Sequence, residues 1–365
     1  MLNLNYIADL SVPNKSAYAV HVLKICDNFS KIGYNVNIYL YSNKKKINRN
    51  QIKSDFNLKD KPNLNYCFDK KVKRNLLNNL VFAFWCKKKI KKNSLIISRS
   101  IISALILIIF NFKVILEIHH EMSGLTKIIY NVLSKLKLTK NLRFIFIHKY
   151  LQKKFNIPRK KSIILDDGVD LDDFLIDVNP KKNCVYTGSF AKGKGIELIS
   201  KIAIRNPSLK IYAYGNLDTL ENKEKYLSIK NLIFLDYVKY YKIPKILKQS
   251  LILLMPYQKK IGILAKNIYV EKYISPLKLF EYLASSNIII ASKLPVYSHI
   301  LKNKFNCILC NHDSTSEWSN NIKNIIKSPM KYSKIRKNAF LTAKQFTWSV
   351  RAKKIIQFSQ KQSLI

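Results

Sequence analysis

This 365-residue chain has no apolar run long enough to cross a bilayer. Its greasiest stretch, Ile101–Phe110, is ten residues long and is closed in by Arg99 and Lys113, where a spanning helix needs about 20. The stretch reads instead as a buried helix feeding a strand at Val114–Ile118. Met1–Leu10 has neither a basic start nor a long apolar centre, so no secretory leader is read there. Cysteine is sparse: six residues, at 26, 67, 86, 184, 307 and 310, without a spaced framework. That suits unpaired thiols in a reducing, cytoplasmic compartment. Cys307-x-x-Cys310 with His312 nearby could be half a zinc site, a weak signal without the remaining ligands. No internal repeat with a period of about 20–50 residues is visible, which argues against a solenoid or propeller.

Carboxylates are scarce as well. Asp and Glu number 22 against 65 Lys and Arg, a net charge of +43. Such an imbalance invites a nucleic-acid or membrane-surface reading. The charge is spread evenly, however, with +19 in residues 1–177 and +24 in residues 178–365. An even spread fits a solvated surface as well as a binding patch. No aromatic–basic motif supports nucleic acid, and none is expected as a partner.

What is present is ample apolar material, 48% of the chain, and a length that makes two domains the default. Strand-like and helix-like segments alternate twice over. Leu2–Ala8, Asn35–Tyr41, Leu95–Ser98, Val114–Ile118 and Arg143–Ile147 read as strands, and Ala17–Ile32 has helical spacing that Gly33 stops. Around Asp172–Pro180 the periodicity lapses. It resumes with strands at Cys184–Thr187, Lys210–Tyr214, Leu232–Leu235, Leu251–Met255, Ile288–Ala291 and Cys307–Leu309, and a helix at Ile196–Ile204. Alternation of this kind implies parallel sheets with helices on both faces. The expected division is a first domain over 1–177, a second over 178–345, and a C-terminal helix over 346–365 that packs back on the first. Ligands of such folds bind at the carboxyl ends of the strands.

The most informative segment is Ile274–Ser292, ISPLKLFEYLASSNIIIAS. Ser275 is expected to cap a helix with Pro276 in its first turn. Free N–H groups there, with Lys278 beside them, suit a phosphate. Glu281 stands about 1.5 turns on, placed to accept from a sugar hydroxyl. Taken alone, the segment is more readily an ordinary capped helix before a buried strand. Likewise His119 could simply end a strand, Lys194 could be one solvated lysine among many, and Glu281 could lie on the surface.

Several segments together resemble the family 4 glycosyltransferases, retaining enzymes of the GT-B fold. Val185-Tyr186-Thr187-Gly188-Ser189 followed by Lys194-Gly195 is similar to the family's strand–loop "GS…KG" element. SPLKLFEYLAS is similar to its nucleotide-sugar signature, LILLMPY at 251–257 to its "adv.l.Py" strand, and Gly168-Val169-Asp170…Phe174 to its "nGVD…F" segment. In the first half, residues 17–24 (AYAVHVLK) and Leu116-Glu117-Ile118-His119 are similar to the first helix and the "E-x-H" strand end. The resemblance implies an α/β architecture, GT-B, with two doubly wound Rossmann-like domains facing a central cleft.

It also implies roles. Glu281 matches the second glutamate of an E-x7-E motif and holds the donor ribose. The backbone around Ser275, Pro276 and Leu277 meets the donor diphosphate, Lys194 neutralises it, and Gly188 and Gly195 let the loop approach closely. His119 bonds a hydroxyl of the donor sugar. No metal or further cofactor is required, the nucleoside diphosphate sugar being the donor substrate. Three positions depart from the pattern. Tyr273 stands where the first motif glutamate belongs, with Glu271 two positions away. Ser189 replaces a common arginine, leaving Lys192 to supply charge. Ser11–Ser16 replaces a glycine-rich loop. The reading is therefore a retaining hexosyltransferase-type enzyme acting on a lipid-linked or cell-envelope glycan. An inactive sugar-nucleotide-binding partner subunit, or an epimerase of the same fold, remains as an alternative.

Two further segments look membrane-facing. Leu76–Lys92 carries apolar residues at 76, 77, 80, 81 and 84 and five lysines at its end. Lys127–Lys140 gathers Ile128, Ile129, Val132, Leu133 and Leu136 on one face. Basic amphipathic helices suit an anionic bilayer, so a cytoplasmic protein peripheral to the inner face of the membrane is expected. A core helix with a solvated lysine face is the equal alternative.

Overall fold

The computed structural model describes residues 2–43, 46–60, 62–68, 75–262 and 270–364. The chain divides into two compact units, residues 1–167 with 348–365, and residues 168–347.

The first unit runs β1 (Asn3–Val12), α1 (Ala17–Lys31), β2 (Asn35–Ser42), α2 (Arg49–Asp55), β3 (Asn63–Phe68) and α3 (Leu76–Lys89). It continues through β4 (Leu95–Ser98), α4 (Ile101–Ile109), β5 (Val114–Ile118), α5 (Gly124–Lys135), β6 (Leu142–Phe146), α6 (Lys149–Phe155) and β7 (Ser162–Ile164). Its seven strands are parallel, in the order β3-β2-β1-β4-β5-β6-β7. The central strands β4 and β5 are buried along their whole length, which explains why they are apolar but for Ser98 and Glu117. Ser16 and Ser100 cap α1 and α4 by accepting from Ala19 N–H and Ser103 N–H.

The second unit runs β8 (Lys181–Thr187), α7 (Ile196–Arg205), β9 (Ile211–Tyr214), α8 (Lys223–Leu227), β10 (Leu232–Leu235), α9 (Ile243–Lys248) and β11 (Ser250–Met255). Then come α10 (Leu277–Ser285), β12 (Ile288–Ser292), β13 (Ile308–Cys310), α11 (Thr315–Lys327) and α12 (Ser333–Ala343). Its six-stranded parallel order is β10-β9-β8-β11-β12-β13. Trp318, Ile322 and Ile325 of α11 and Ile199 and Ile202 of α7 close its core against Ile252, Ile288 and Ile290. The last helix, α13 (Trp348–Lys361), returns to the first unit.

Both sheets reverse their strand order once, between β1 and β4 and between β8 and β11. Reversal leaves a crevice at the carboxyl ends of those strands, the usual ligand position of such sheets. Strands β3 and β7 were absent from the sequence reading. The strand β3, NLNYCF, alternates asparagine with apolar residues and is held in part by an asparagine ladder, Asn63 donating to Asn35 and Asn35 to Asn3.

The fold makes a testable distinction between two isoleucines of apolar segments. Ile252 on β11 is fully buried, whereas Ile204 on α7 is 65% exposed. Ile252→Ala is expected to lose about 2–5 kcal/mol and Ile204→Ala less than about 0.5, measured by urea unfolding. Equal losses would contradict the placement of β11.

Candidate functional site

In the second unit, the loop after β8 is shaped by contacts that leave no room for side chains. Gly188 has φ +139, and a Cβ on it would lie 2.6 Å from Lys278 Nζ. Gly195 has φ +93, and a Cβ there would lie 2.0 Å from the Pro256 carbonyl oxygen. Glycine alone meets both conditions. The loop is tied to the segment after β11, with Gln258 N–H donating to the Gly193 carbonyl and Gly262 N–H to that of Lys192, both at 3.0 Å. The hydroxyl of Tyr282, on α10, accepts from Thr187 N–H at 3.0 Å and lies 3.3 Å from the Leu254 carbonyl, joining the ends of β8 and β11.

Against this frame lie two buried lysines. Lys194 and Lys278 are 9% and 8% exposed. Their ammonium groups sit 4.8 and 5.2 Å from the centre of one ring, Tyr257, and Lys278 also stands 3.8 Å over Tyr186. Burial pushes the Lys194 pKa down to about 8. Burial also pushes Lys278 well down, with Lys194 adding to the effect and Glu281 opposing it. Lys278 Nζ has no hydrogen-bond partner, a costly state for a buried cation. The cation–π contacts with the two tyrosines recover part of that cost.

Helix α10 starts one residue later than expected. Pro276, not Ser275, is the N-cap, with extended φ −81, ψ 128, and no side chain caps the helix. Proline ahead of the first turn has no N–H to lose and holds Ser275 out of helical geometry. Uncapped N–H groups carry a partial positive charge, in the same turn as Lys278. Glu281, expected on the surface if it had no role, is 7% exposed. The Tyr240 hydroxyl donates to it, and burial, reinforced by Glu281, holds that phenol well above its usual pKa. Of the remaining positions in this region, Ser189 accepts at its carbonyl from the Tyr186 hydroxyl at 2.6 Å. Lys192 is exposed, so the second cation beside Lys194 is Lys278. Tyr273 is buried, and Glu271 has one carboxylate oxygen buried without a partner.

The first unit holds a different cluster, one the sequence reading did not foresee beyond His119. Glu117 on β5 is buried and accepts from the Tyr6 hydroxyl at 2.6 Å, from His119 Nε2 at 2.8 Å and from Arg351 Nη2 of α13 at 2.6 Å. His21 Nε2 lies 2.8 Å away, and His21 Nδ1 lies 2.6 Å from Asp167. Arg351 also donates to the carbonyls of Leu165 and Asp166. Burial alone would raise the Glu117 pKa, but His21 and Arg351 hold it well below the carboxylate range. Glu117 is therefore an acceptor only, and His119 Nε2 must carry the proton. Burial and then Arg99 lower the His119 pKa to about 3, so the ring is neutral and its Nδ1 is left as an acceptor. His119 directly follows β5, and its ring bonds a carboxylate of the same strand. Nothing in the chain order flagged Arg351; His21 was visible only within the first-helix segment.

His21, His119 and Asp167 are the one set of metal-type ligands gathered among the described residues. His21 Nδ1 lies against Asp167 and His119 Nε2 against Glu117, so these ligand-type atoms already take part in the ion network. The Cys307 and Cys310 thiols are buried, their pKa values pushed up to about 12 by burial. Cys307 faces the Lys302 carbonyl and Cys310 the Asn321 amide.

With the geometry described, comparison with known proteins places it. Residues 174–342 match the family model of the glycosyl transferases, group 1. No curated protein sequence matches the chain. Among solved structures it is similar over nearly its whole length to a glycosyltransferase from Rickettsia africae, at 12% identity and TM-score 0.73, covering 99% of this chain and 98% of that one. It is similar to Anabaena HepE in complex with UDP-glucose, at 12% identity and TM-score 0.68, covering 100% of both chains. It is also similar to WaaG, a glycosyltransferase involved in lipopolysaccharide biosynthesis, at 10% identity and TM-score 0.62, covering 96% and 98%. The fold is GT-B.

Two outcomes follow from the ion network. Arg351→Met removes a buried charge partner of Glu117 and is expected to cost about 3–5 kcal/mol in urea unfolding; a loss under about 1 kcal/mol would remove Arg351 from the network. His119 stays neutral in the folded chain below its ordinary pKa while the unfolded chain takes up a proton. Stability contributed at this ring is therefore present above pH about 6.5 and lost progressively as pH falls toward about 3. His119→Asn is expected to flatten that part of the stability–pH curve.

Proposed function

We propose that the protein is a retaining glycosyltransferase that moves a sugar from a nucleoside diphosphate sugar to a glycan acceptor, lipid-linked or part of the cell envelope, at the inner face of the membrane. The observation that carries the reading is the pair of buried lysines at one tyrosine ring, one of them without a hydrogen-bond partner, beside an uncapped helix N-terminus and a glycine that admits backbone contact. Two cations and a helix dipole in a low-dielectric pocket suit a diphosphate. Its charge grows as the glycosidic bond to the donor sugar breaks, so the same groups stabilise the transition state more than the bound donor.

Glu281, fixed by Tyr240, is placed one turn on for the ribose hydroxyls, the role its motif position implies. His119 offers Nδ1 to a hydroxyl of the transferred sugar. The acceptor hydroxyl attacks on the face the diphosphate leaves, and the departing diphosphate takes its proton. HepE, solved with UDP-glucose, and WaaG, named for lipopolysaccharide biosynthesis, support a sugar-nucleotide donor and an envelope acceptor. A second reading, a sugar-nucleotide-binding subunit without turnover, is favoured by one observation, the buried Tyr273 at the place of the first motif glutamate.

A panel of UDP- and GDP-sugars scored by thermal stabilisation tests the donor. The true donor is expected to raise Tm by roughly 5–10 °C at about 100 Kd; no shift with any of them would sink the assignment. Lys278→Met separates function from structure. Removing an unpartnered buried charge is expected to stabilise the free protein by about 1–3 kcal/mol while abolishing that shift. Lys194→Ala is expected to lose turnover about 100-fold or more, and full turnover would remove Lys194 from the reaction. Lys194 is charged below pH about 8 and neutral above it. Donor affinity is therefore expected to fall as pH rises through that value in the native chain, and not in Lys194→Arg.

A further inference from the structure

Twenty large apolar residues are exposed among the described residues, and ten of them lie between Leu77 and Leu138. They are ordered, not scattered. On α3 the exposed residues Leu77, Val81 and Phe84 fall at helical spacing on one face, opposite the buried Phe82, Ala83 and Cys86. On α5 the exposed residues Leu125, Ile128 and Val132 make a second stripe that Leu136 continues just beyond the helix; only Leu133 is buried. The end of α4, with Ile109 and Phe110 exposed, lies between them. The Phe84 ring meets Phe110 edge-on at 6.2 Å, and Asn141, at the end of a 3-10 turn after α5 (Leu138–Asn141), donates to Asn111 at 2.7 Å. These contacts make the two stripes parts of one surface.

The polar residues of this surface have one sign. Lys87, Lys88 and Lys89 end α3, and Lys87 Nζ stands 4.5 Å over Phe110. Lys127, Lys135, Lys137 and Lys140 border α5 and the turn after it. Between residues 76 and 141 there are two carboxylates: Glu117 is buried in its network, and Glu121 is paired with Lys154 at 2.5 Å. An apolar face of this size on a soluble protein calls for a cover. A protein partner is disfavoured by the lysines, which interface cores exclude. Apolar stripes bordered by lysines, with no free carboxylate, match a bilayer surface bearing negative headgroups.

We propose that the α3–α4–α5 face of the first unit docks on an anionic lipid bilayer, with the apolar stripes entering the headgroup–acyl boundary and the lysines contacting the headgroups. The inference deepens the transferase reading by naming where the chain would meet a membrane-borne acceptor. Its test needs no donor, so either can fail without the other.

The full chain is floated with vesicles of phosphatidylcholine alone and with about 30% phosphatidylglycerol added. Binding to the anionic vesicles is expected, weakened by salt, with little to the neutral ones. Ile128→Asn with Val132→Asn, both at exposed positions, is expected to weaken binding about tenfold or more, and Lys135→Ala about fivefold, each with unchanged Tm. Ile204→Asn with Leu227→Asn, exposed apolar positions of the other unit, is expected to have no effect. No binding, equal binding to both vesicles, or equal loss in the second pair would overturn the proposal. So would self-association that the Ile128/Val132 variant abolishes without any vesicle binding, which would give the face to a second copy of the chain.

Discussion

The first unit is organised around one buried carboxylate. Glu117 sits mid-sheet with no access to water, a position an ionised group holds only if its charge is met from several sides. Here it is met by Tyr6 from β1, His21 from α1, His119 from its own strand end and Arg351 from the last helix. Those residues are far apart in the chain, and each is aimed by its own backbone. The ion network therefore acts as a register pin. It fixes α13 on the first unit, and Arg351 in turn binds the carbonyls of Leu165 and Asp166, where that unit's chain ends its first pass. The same carboxylate sets the His119 tautomer, so that ring inherits its hydrogen-bonding character from a buried ion network.

The second unit shows the complementary arrangement. There the buried charges are cations, and the structure leaves them without a matching set of carboxylates. Glu281 reaches Lys278 only as an opposing influence on its pKa while bonded to Tyr240. A fold can hold such a state when its neighbours over-determine it: Gly188 is stripped of a side chain, Tyr186 and Tyr257 offer ring faces, and Tyr282 ties β8 to β11. Strain of this kind at strand ends is typical of sites that are completed by a ligand. The buried charges of the first unit are thus met largely by opposite charges, and those of the second largely by ring faces.

Most of the fold was legible because its central strands are mainly apolar runs between turn residues, and its main helices keep a 3.6 period. Strands β4, β5 and β10 have the bounds their sequence suggested. What was illegible has physical reasons. Strand β3 is an edge whose asparagines bond sideways, so it lacks the apolar signature. The start of α10 shifted by one residue because Ser275 and Pro276 both fit a helix start by type, and only backbone geometry decides between them. In the site, Gly188, Lys194, Lys278 and Glu281 could be picked out by motif, but that Lys278 rather than Lys192 stands with Lys194 depends on burial. Arg351 could not be found at all: an arginine in a basic helix carries no mark that it will face a carboxylate 234 positions earlier.

The scarcity of carboxylates, which looked like a compositional accident, has a structural consequence. Of 22 acidic residues, Asp27, Glu117, Asp167 and Glu281 are buried. Asp27 accepts the backbone N–H groups of Lys59 and Asp60, and the others belong to the two clusters. Four basic residues, Lys24, Lys194, Lys278 and Arg351, are buried as well, so the surface keeps the net positive charge of the composition. Where a helix also turns apolar residues outward, as α3 and α5 do, no nearby carboxylate dilutes the positive rim. The sign of the exposed face is thus set locally: residues 76–141 hold two carboxylates, Glu117 buried in its network and Glu121 paired with Lys154.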